Sequence, residues 1–449
     1  MDSKSIEYLL SRGTYTCECG KVHDAKVKKV VIRSGAIAEL PTSVEEFGGH
    51  KAFVLADKNT FGAAGDRVTS ALDSAGIPYT LFILGGERPE PDEHTLGSVT
   101  LHYDASCDII VSIGSGVIND TGKIVANVAG VPYIIVGTAP SMDGYASGTS
   151  SVIRDNLKVS VDSRCPDVVI GDLDVLSASP MHMIASGLGD MIAKYISIAE
   201  WKISRIINDE YYCDEIAELI NAGLKKCVDS AADIAKRDKH AVSAVMEGMV
   251  LSGIAANYAG VSRPVSGMEH YFSHVWDMRM VEFGTPADFH GIQCGIGTLD
   301  CLRVYNEIKK ITPDKAKALA HAAAFDYDEW CRVLRRELGA GAEQMIKNEA
   351  KEKKYDLKAH ARRLDRITEH WNEIIAVIDT LPSYDELACV FDTVGAPKTA
   401  REIGLSAHEE RMAFLITKDI RDKYIGSRLL WDIGEIDRVA DMLFPDTNS

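Results

Sequence analysis

The stretch CDIIVSIGSGVINDTGKIVANVAG, residues 107–130, decides the fold class. A short run rich in isoleucine and valine ends at Gly114, Ser115 and Gly116, and a helical pattern starts at once. An apolar run of this length, closed by glycines, reads as a buried strand feeding a helix. The same alternation continues on both sides. KVKKVVI (26–32), AFVLAD (52–57), YTLFIL (79–84) and VPYIIVGTA (131–139) read as strands, and DRVTSALDSAG (66–76) reads as a helix. PDVVIGDLDVL (166–176) adds a last strand near 167–171, and TSSVIRDNLKVSVDSR (149–164) reads as a β-hairpin. Strands alternating with helices predict a parallel sheet with crossover helices.

After SASP (177–180) the helical pattern runs to the end of the chain. The expected organisation is an α/β Rossmann-like nucleotide domain over 1–177 and an all-α domain over 178–449. In GLGDMIAKYISIAEW, Ile192, Tyr195, Ile196 and Ala199 recur on one helical face, with Asp190 expected to open that helix. The charged stretch KNEAKEKKYDLKAHARRLDRITEHW reads as a solvated helical face.

The chain has 449 residues, 46% of them hydrophobic, and a formal charge of -17. That length suits two domains. The acidic balance repels nucleic-acid phosphates and anionic lipid, so neither is an expected partner, and an anionic substrate needs a local basic pocket. No run of about 18 apolar residues suggests a membrane span. The start of the chain lacks a basic segment followed by an apolar core, so no signal peptide is expected. The ten cysteines are mostly scattered singly, which suits reduced thiols in a cytoplasm. The exception is CECG at Cys17 and Cys19, with His23 nearby. It is half of a zinc pattern without a second Cys/His pair at defined spacing, so the expectation is a structural turn.

Two further clusters carry chemistry. Gly114, Ser115 and Gly116 lie between a strand and a helix, where phosphate oxygens reach backbone N–H groups at a positive helix end. Asp57 ends the AFVLAD strand, where an acid bonds a ribose 2′-hydroxyl and disfavours a 2′-phosphate. This favours NAD over NADP. In GMEHYFSHVWDM (267–278), His270 and His274 fall four residues apart, on one face of a helix, and His290 follows in an expected loop. With Asp190 these histidines supply a carboxylate and imidazoles for a divalent metal with an open position, which would act as a Lewis acid. Each residue also has a plainer reading: a packed histidine, a helix-end acid, or a tight turn.

The motifs GSGVINDTGKIVA, GTAPSMDGYAS, GLGDMIAKY, GMEHYFSH and FHGIQCG occur here in one order. The chain thereby resembles the metal-dependent polyol dehydrogenases, a group that includes glycerol dehydrogenase and is related to dehydroquinate synthase. Within the group it looks most like the bacterial sn-glycerol-1-phosphate dehydrogenases, to which VGAPKTAREIGLS and KYIGSRLLWDIG are also similar. The resemblance covers about residues 15–445. It implies a dehydroquinate synthase-like fold and a cytoplasmic homodimer or higher homo-oligomer. The implied reaction is reversible reduction of dihydroxyacetone phosphate to sn-glycerol 1-phosphate by NADH, with NADPH as an alternative. Carried over by position, Asp190, His270 and His290 match the metal ligands, for zinc or nickel, with iron also in range. Asp57, Gly114, Ser115, Gly116, Asp120, Thr138 and Ser141 match cofactor-binding positions. Asp143 and His274 match the catalytic and substrate-side positions, and Lys158 and Arg263 are candidates for the substrate phosphate, with His274 as a further one. Where this resemblance implies glycines in the histidine helix of a dehydroquinate synthase, Glu269 and Ser273 stand here, which weakens a cyclase reading. The alternatives are a glycerol dehydrogenase for unphosphorylated polyols, a sugar-phosphate cyclase, and a non-catalytic nucleotide-binding relative.

Overall fold

The computed structural model describes residues 4–86, 89–154 and 157–446. The strands, in chain order, are β1 (Tyr15–Thr16), β2 (Val22–His23), β3 (Lys29–Arg33), β4 (Ala52–Asp57), β5 (Tyr79–Leu84), β6 (Ile109–Gly114), β7 (Tyr133–Gly137), β8 (Thr149–Arg154), β9 (Leu157–Asp162) and β10 (Val168–Asp172). Six of them form one all-parallel sheet in the order β3-β10-β7-β6-β4-β5. β1–β2 and β8–β9 are separate antiparallel hairpins, and the turn of the second lies outside the described residues. β4, β6, β7 and β10 are buried along their whole length. Continuous apolar runs such as AFVLAD are what a parallel sheet covered on both faces requires.

Two compact units interleave along the chain. The first comprises residues 1–191, 215–261 and 393–395, and the second comprises 192–214, 262–392 and 396–449. The sequence reading places a single boundary at 177. The helix Lys239–Ala259, far along the chain, belongs to the first unit. Nothing in its own periodicity reveals which unit it packs into.

In the first unit the strand order reverses between β4 and β6. From β4 the chain passes outward to β5, returns to β6 on the other side of β4, and proceeds to β7. Ligands of open α/β sheets bind beyond the carboxyl ends of strands at such a reversal. The residues leaving β4 and β6 there are Asp57 and Gly114–Gly116.

In the second unit every regular element among the described residues is helical. Two of its helices, Met268–Phe283 and His290–Ile308, pack against each other. Phe272 and Trp276 anchor the first of them, and Phe272 stacks on Phe414 at 6.4 Å.

Two expectations are corrected. GLGDMIAKYISIAEW forms two helices, Met181–Ile192 and Lys194–Asn208, so Asp190 sits in a last turn and does not open a helix. A negative charge is disfavoured at that end, so the macrodipole cannot explain the residue. His290 is the first residue of the His290–Ile308 helix and does not lie in a loop, because Phe289 takes the non-helical φ/ψ just before it.

Candidate functional site

The first unit builds a cradle from three successive strand ends. At β4, the Asp57 side chain caps the helix Lys58–Ala75. Its Oδ1 accepts from the N–H groups of Asn59 at 2.7 Å and Thr60 at 2.9 Å. At β6, a Cβ on Gly114 would fall 2.5 Å from the Cβ of Ile118, so only glycine lets the helix Gly116–Ala129 follow the strand this closely. Ser115 makes no side-chain capping bond at that helix start. At β7, the Thr138 N–H donates to the Gly114 carbonyl at 3.1 Å and ties the second strand end to the third. Thr138 and Ser141 are both buried.

Asp120 has structural partners on both oxygens. Oδ1 lies 2.8 Å from the Lys123 ammonium, and Oδ2 accepts from the Ser151 N–H at 3.1 Å. The fully buried Lys123 also donates to the Thr149 carbonyl at 2.5 Å. These bonds rivet the β8–β9 hairpin to the helix. Lys158 lies on β9 opposite Ile153, half-buried.

The segment after β7 is held on two sides by glycines. A Cβ on Gly187 would meet the Pro140 carbonyl oxygen at 1.9 Å, and one on Gly253 would meet the Ala146 carbonyl carbon at 2.8 Å. These close approaches bring the segment against the helices Met181–Ile192 and Lys239–Ala259. The Asp143 N–H donates to Asp190 Oδ2 at 2.9 Å, and Asp143 Oδ2 accepts from the Ser252 hydroxyl at 2.8 Å. Asp190 is 0% exposed. A buried carboxylate needs such donors or a cation.

The second unit holds the histidines. His270 Nδ1 lies 2.8 Å from Glu269 Oε1, which also accepts from the Gly267 N–H at 2.7 Å. His290 Nδ1 lies 3.1 Å from the Ser273 hydroxyl. Gln293 Nε2 donates to Ser273 Oγ at 3.0 Å and to Asp277 Oδ1 at 2.8 Å, extending the network into the core. A partner at Nδ1 orients each ring, the usual arrangement for a ligating histidine. Cys294 Sγ is 3.5 Å from His290 Nε2. Donor atoms of His270, His290 and Cys294 all lie within 4.8 Å of one another. Burial alone would raise the Cys294 thiol, but the two imidazoles outweigh it and lower its pKa. His274, half-buried, stacks beside His290 at 6.2 Å.

Behind this group lies a carboxylate that the sequence reading missed. Glu200 is 1% exposed and accepts from Met268 N–H, Tyr305 Oη and Gly426 N–H at 2.9, 2.7 and 2.8 Å. Burial, then the neighbouring charge of Glu269, pushes its carboxyl up to about 7. The signal in the sequence is an acid inside an otherwise apolar helical run, ISIAEW. Arg263 belongs to the same core. It pairs with Glu210 at 3.1 Å, donates to the Glu200 carbonyl at 3.2 Å and is 1% exposed, so it does not present itself to a substrate phosphate.

The donor chemistry fits a divalent cation. Two imidazoles with oriented Nδ1 atoms and a neighbouring thiol suit zinc, nickel or iron. The glycine turn with N–H groups open at a helix start fits a pyrophosphate.

Known proteins resemble this chain in sequence and in fold. Residues 31–180 match the family described as iron-containing alcohol dehydrogenase. The chain is 28% identical over 412 residues to a glycerol-1-phosphate dehydrogenase (NAD(P)+) of Halalkalibacterium halodurans, covering 91% of this chain and 93% of the relative. It is 31% identical over 289 residues to the enzyme of that name from Geobacillus thermodenitrificans, covering 64% and 72%. The enzyme of that name from Hyperthermus butylicus is 33% identical over 274 residues, covering 61% and 76%. Among solved structures, a putative alcohol dehydrogenase from Ralstonia eutropha superposes with a TM-score of 0.61 at 16% identity, covering 94% and 97%. Glycerol dehydrogenase from Schizosaccharomyces pombe superposes at 0.59 and 16%, covering 94% of each chain. At these identities the structural likeness carries the fold alone.

Proposed function

Because the chain belongs to the glycerol-1-phosphate dehydrogenase family, we propose that it interconverts dihydroxyacetone phosphate and sn-glycerol 1-phosphate. It is an oxidoreductase that uses NAD(P) and a divalent metal. The observation that carries the reading is the imidazole pair of the second unit, with a hydrogen-bond partner at the Nδ1 of each ring.

Asp190, His270 and His290 are the proposed metal ligands, with zinc as the first choice and nickel as the rival. Asp57, Gly114, Ser115, Gly116, Thr138 and Ser141 are the proposed nucleotide cradle. Asp120 supports it by fixing the helix and the hairpin. When bound, the nicotinamide supplies hydride and the metal supplies Lewis acidity at the carbonyl oxygen.

The chain's own residues hold these parts in place. Glu269 and Ser273 fix the two imidazole planes. The Asp143 N–H fixes the Asp190 carboxylate, and Ser252 fixes Asp143. Lys158 binds the substrate phosphate, and an ammonium is a strong donor to that group. His274 and Asp143 face the substrate and return a proton to its oxygen. Asp57 Oδ2 takes the adenosine ribose, which favours NAD over NADP. A homo-oligomer in a cytoplasm suits the reduced cysteines, and no helix among the described residues is long and apolar enough to cross a membrane.

Reduction of dihydroxyacetone phosphate should be followed beside unphosphorylated dihydroxyacetone, by NADH oxidation in metal-loaded protein. A strong preference for the phosphorylated ketone is expected. Equal or better turnover of the unphosphorylated ketone would leave a glycerol dehydrogenase in its place.

A further inference from the structure

The CECG turn remains outside this account. In the structure it closes the β1–β2 hairpin: the Cys17 N–H donates to the Lys21 carbonyl at 2.9 Å and the Gly20 N–H to the Cys17 carbonyl at 2.9 Å. Gly20 has φ of +85°, a left-handed conformation that suits glycine. The turn folds Cys19 back so that its N–H points at Cys17 Sγ, 3.5 Å away. His23 returns on β2 with Nε2 3.5 Å from Cys19 Sγ. Donor atoms of Cys17, Cys19 and His23 all lie within 4.8 Å of one another.

The spacing matches that of two ligands on one ion. A tetrahedral zinc with Zn–S near 2.3 Å and Zn–N near 2.0–2.1 Å separates sulfur from nitrogen by about 3.6 Å. The observed 3.5 Å is that edge. The histidine is also oriented for the purpose. Its Nδ1 lies 3.1 Å from the Tyr15 hydroxyl, which donates to Glu215 Oε1 at 2.6 Å. This carboxylate–tyrosine–histidine chain leaves Nε2 for the cation. Tyr258 stacks on the ring at 4.7 Å and fixes its plane. His23 is 0% exposed and Cys17 is 7% exposed, so solvent does not set this geometry.

Glu215 accepts from Cys17 Sγ at 3.2 Å and is therefore anchored at the turn. We propose that Cys17, Cys19 and His23 form a structural zinc site at this hairpin. On binding, zinc displaces the protons of the two thiols to solvent, and Glu215 keeps the Tyr15 hydroxyl and the Arg12 guanidinium as partners. The ion pins the CECG turn to β2. It is separate from the proposed catalytic metal in residues and in coordination.

The test is metal analysis of the full chain, purified with reductant, beside a Cys17→Ser/Cys19→Ser variant and a His270→Ala/His290→Ala variant. The serine variant is expected to lose about one zinc per chain, and the alanine variant is expected to retain that zinc. Unchanged zinc in the serine variant overturns the proposal. Should that variant fail to fold, cobalt substitution of the full chain carrying Cys294→Ser decides the matter. A thiolate-to-cobalt absorption in the near ultraviolet is expected, and its absence overturns the site. Neither readout depends on which substrate the enzyme turns over.

Discussion

Replacing Glu269 tests how the proposed metal site is held. Its Oε1 is the partner of His270 Nδ1 at 2.8 Å and of the Gly267 N–H at 2.7 Å, in a position 0% exposed. A hydrogen bond to a charged acceptor contributes about 1.5–3 kcal/mol, and one to a neutral acceptor about 0.5–1.5 kcal/mol. Glu269→Gln keeps an acceptor oxygen and the volume but removes the charge. The difference, about 1–1.5 kcal/mol, corresponds to roughly a tenfold loss of metal affinity. Glu269→Ala also strands the Gly267 and His270 donors in a buried place, and should approach the hundredfold loss typical of removing a partner behind a ligand. Affinity is measured by competition with a chelator of known strength, reading bound metal and recovered NADH oxidation together. At saturating metal, KM for dihydroxyacetone phosphate should change little in Glu269→Gln. If both variants bind metal within about twofold of the parent while melting normally, the orienting role of Glu269 is refuted.

Three further outcomes are expected. Lys158→Ala should raise KM for dihydroxyacetone phosphate by tenfold or more, since a charge-assisted bond contributes about 1.5–3 kcal/mol, while KM for dihydroxyacetone stays level; equal changes for both ketones would remove Lys158 from the phosphate pocket. Gly187→Ala, whose Cβ would sit 1.9 Å from the Pro140 carbonyl oxygen, should cost about 1–3 kcal/mol in denaturant unfolding and weaken catalysis by displacing Asp143; a stable, fully active variant would show that this close approach is dispensable.

Asp419 is 2% exposed and is bonded to Arg428 at 2.7 Å and Tyr355 Oη at 2.6 Å. Burial would raise its carboxyl, but Lys418 and Arg428 outweigh it and hold it near 2, below the ordinary 3.8. Its stabilisation is therefore fully present above pH 3.8 and lost as pH falls through about 2. Asp419→Asn should cost about 3–5 kcal/mol at pH 7, a gap that narrows below pH 4; a gap independent of pH across the acid limb would contradict the ionised pair.

The parts of the structure legible in the sequence are those with local signatures. AFVLAD occupies the residues read for it, because a covered parallel strand must be apolar throughout, and YTLFIL, the edge strand, also occupies the residues read for it. The glycines at 114–116 mark a strand-to-helix turn by composition alone. What stayed hidden depends on tertiary approach. Gly187 looks like an ordinary helix glycine until Pro140 is placed against it. Asp190 reads as a helix-start charge until the break at Ala193 puts it in a last turn. Glu200 and Lys123 are charges inside helices, and only the folded partners explain why they are buried. The CECG turn shows no second half in its own neighbourhood, and the carboxylate that meets Cys17 and Tyr15, Glu215, comes from a distant part of the chain.

The central claim is best tested by stripping the protein with a strong chelator and titrating zinc or nickel back, measuring bound metal and NADH-linked reduction of dihydroxyacetone phosphate on the same samples. Activity is expected to vanish on stripping and to return in proportion to metal that the Asp190→Ala, His270→Ala and His290→Ala variants fail to rebind. Turnover that persists in thoroughly stripped protein, or variants that rebind the metal in full, would contradict the account.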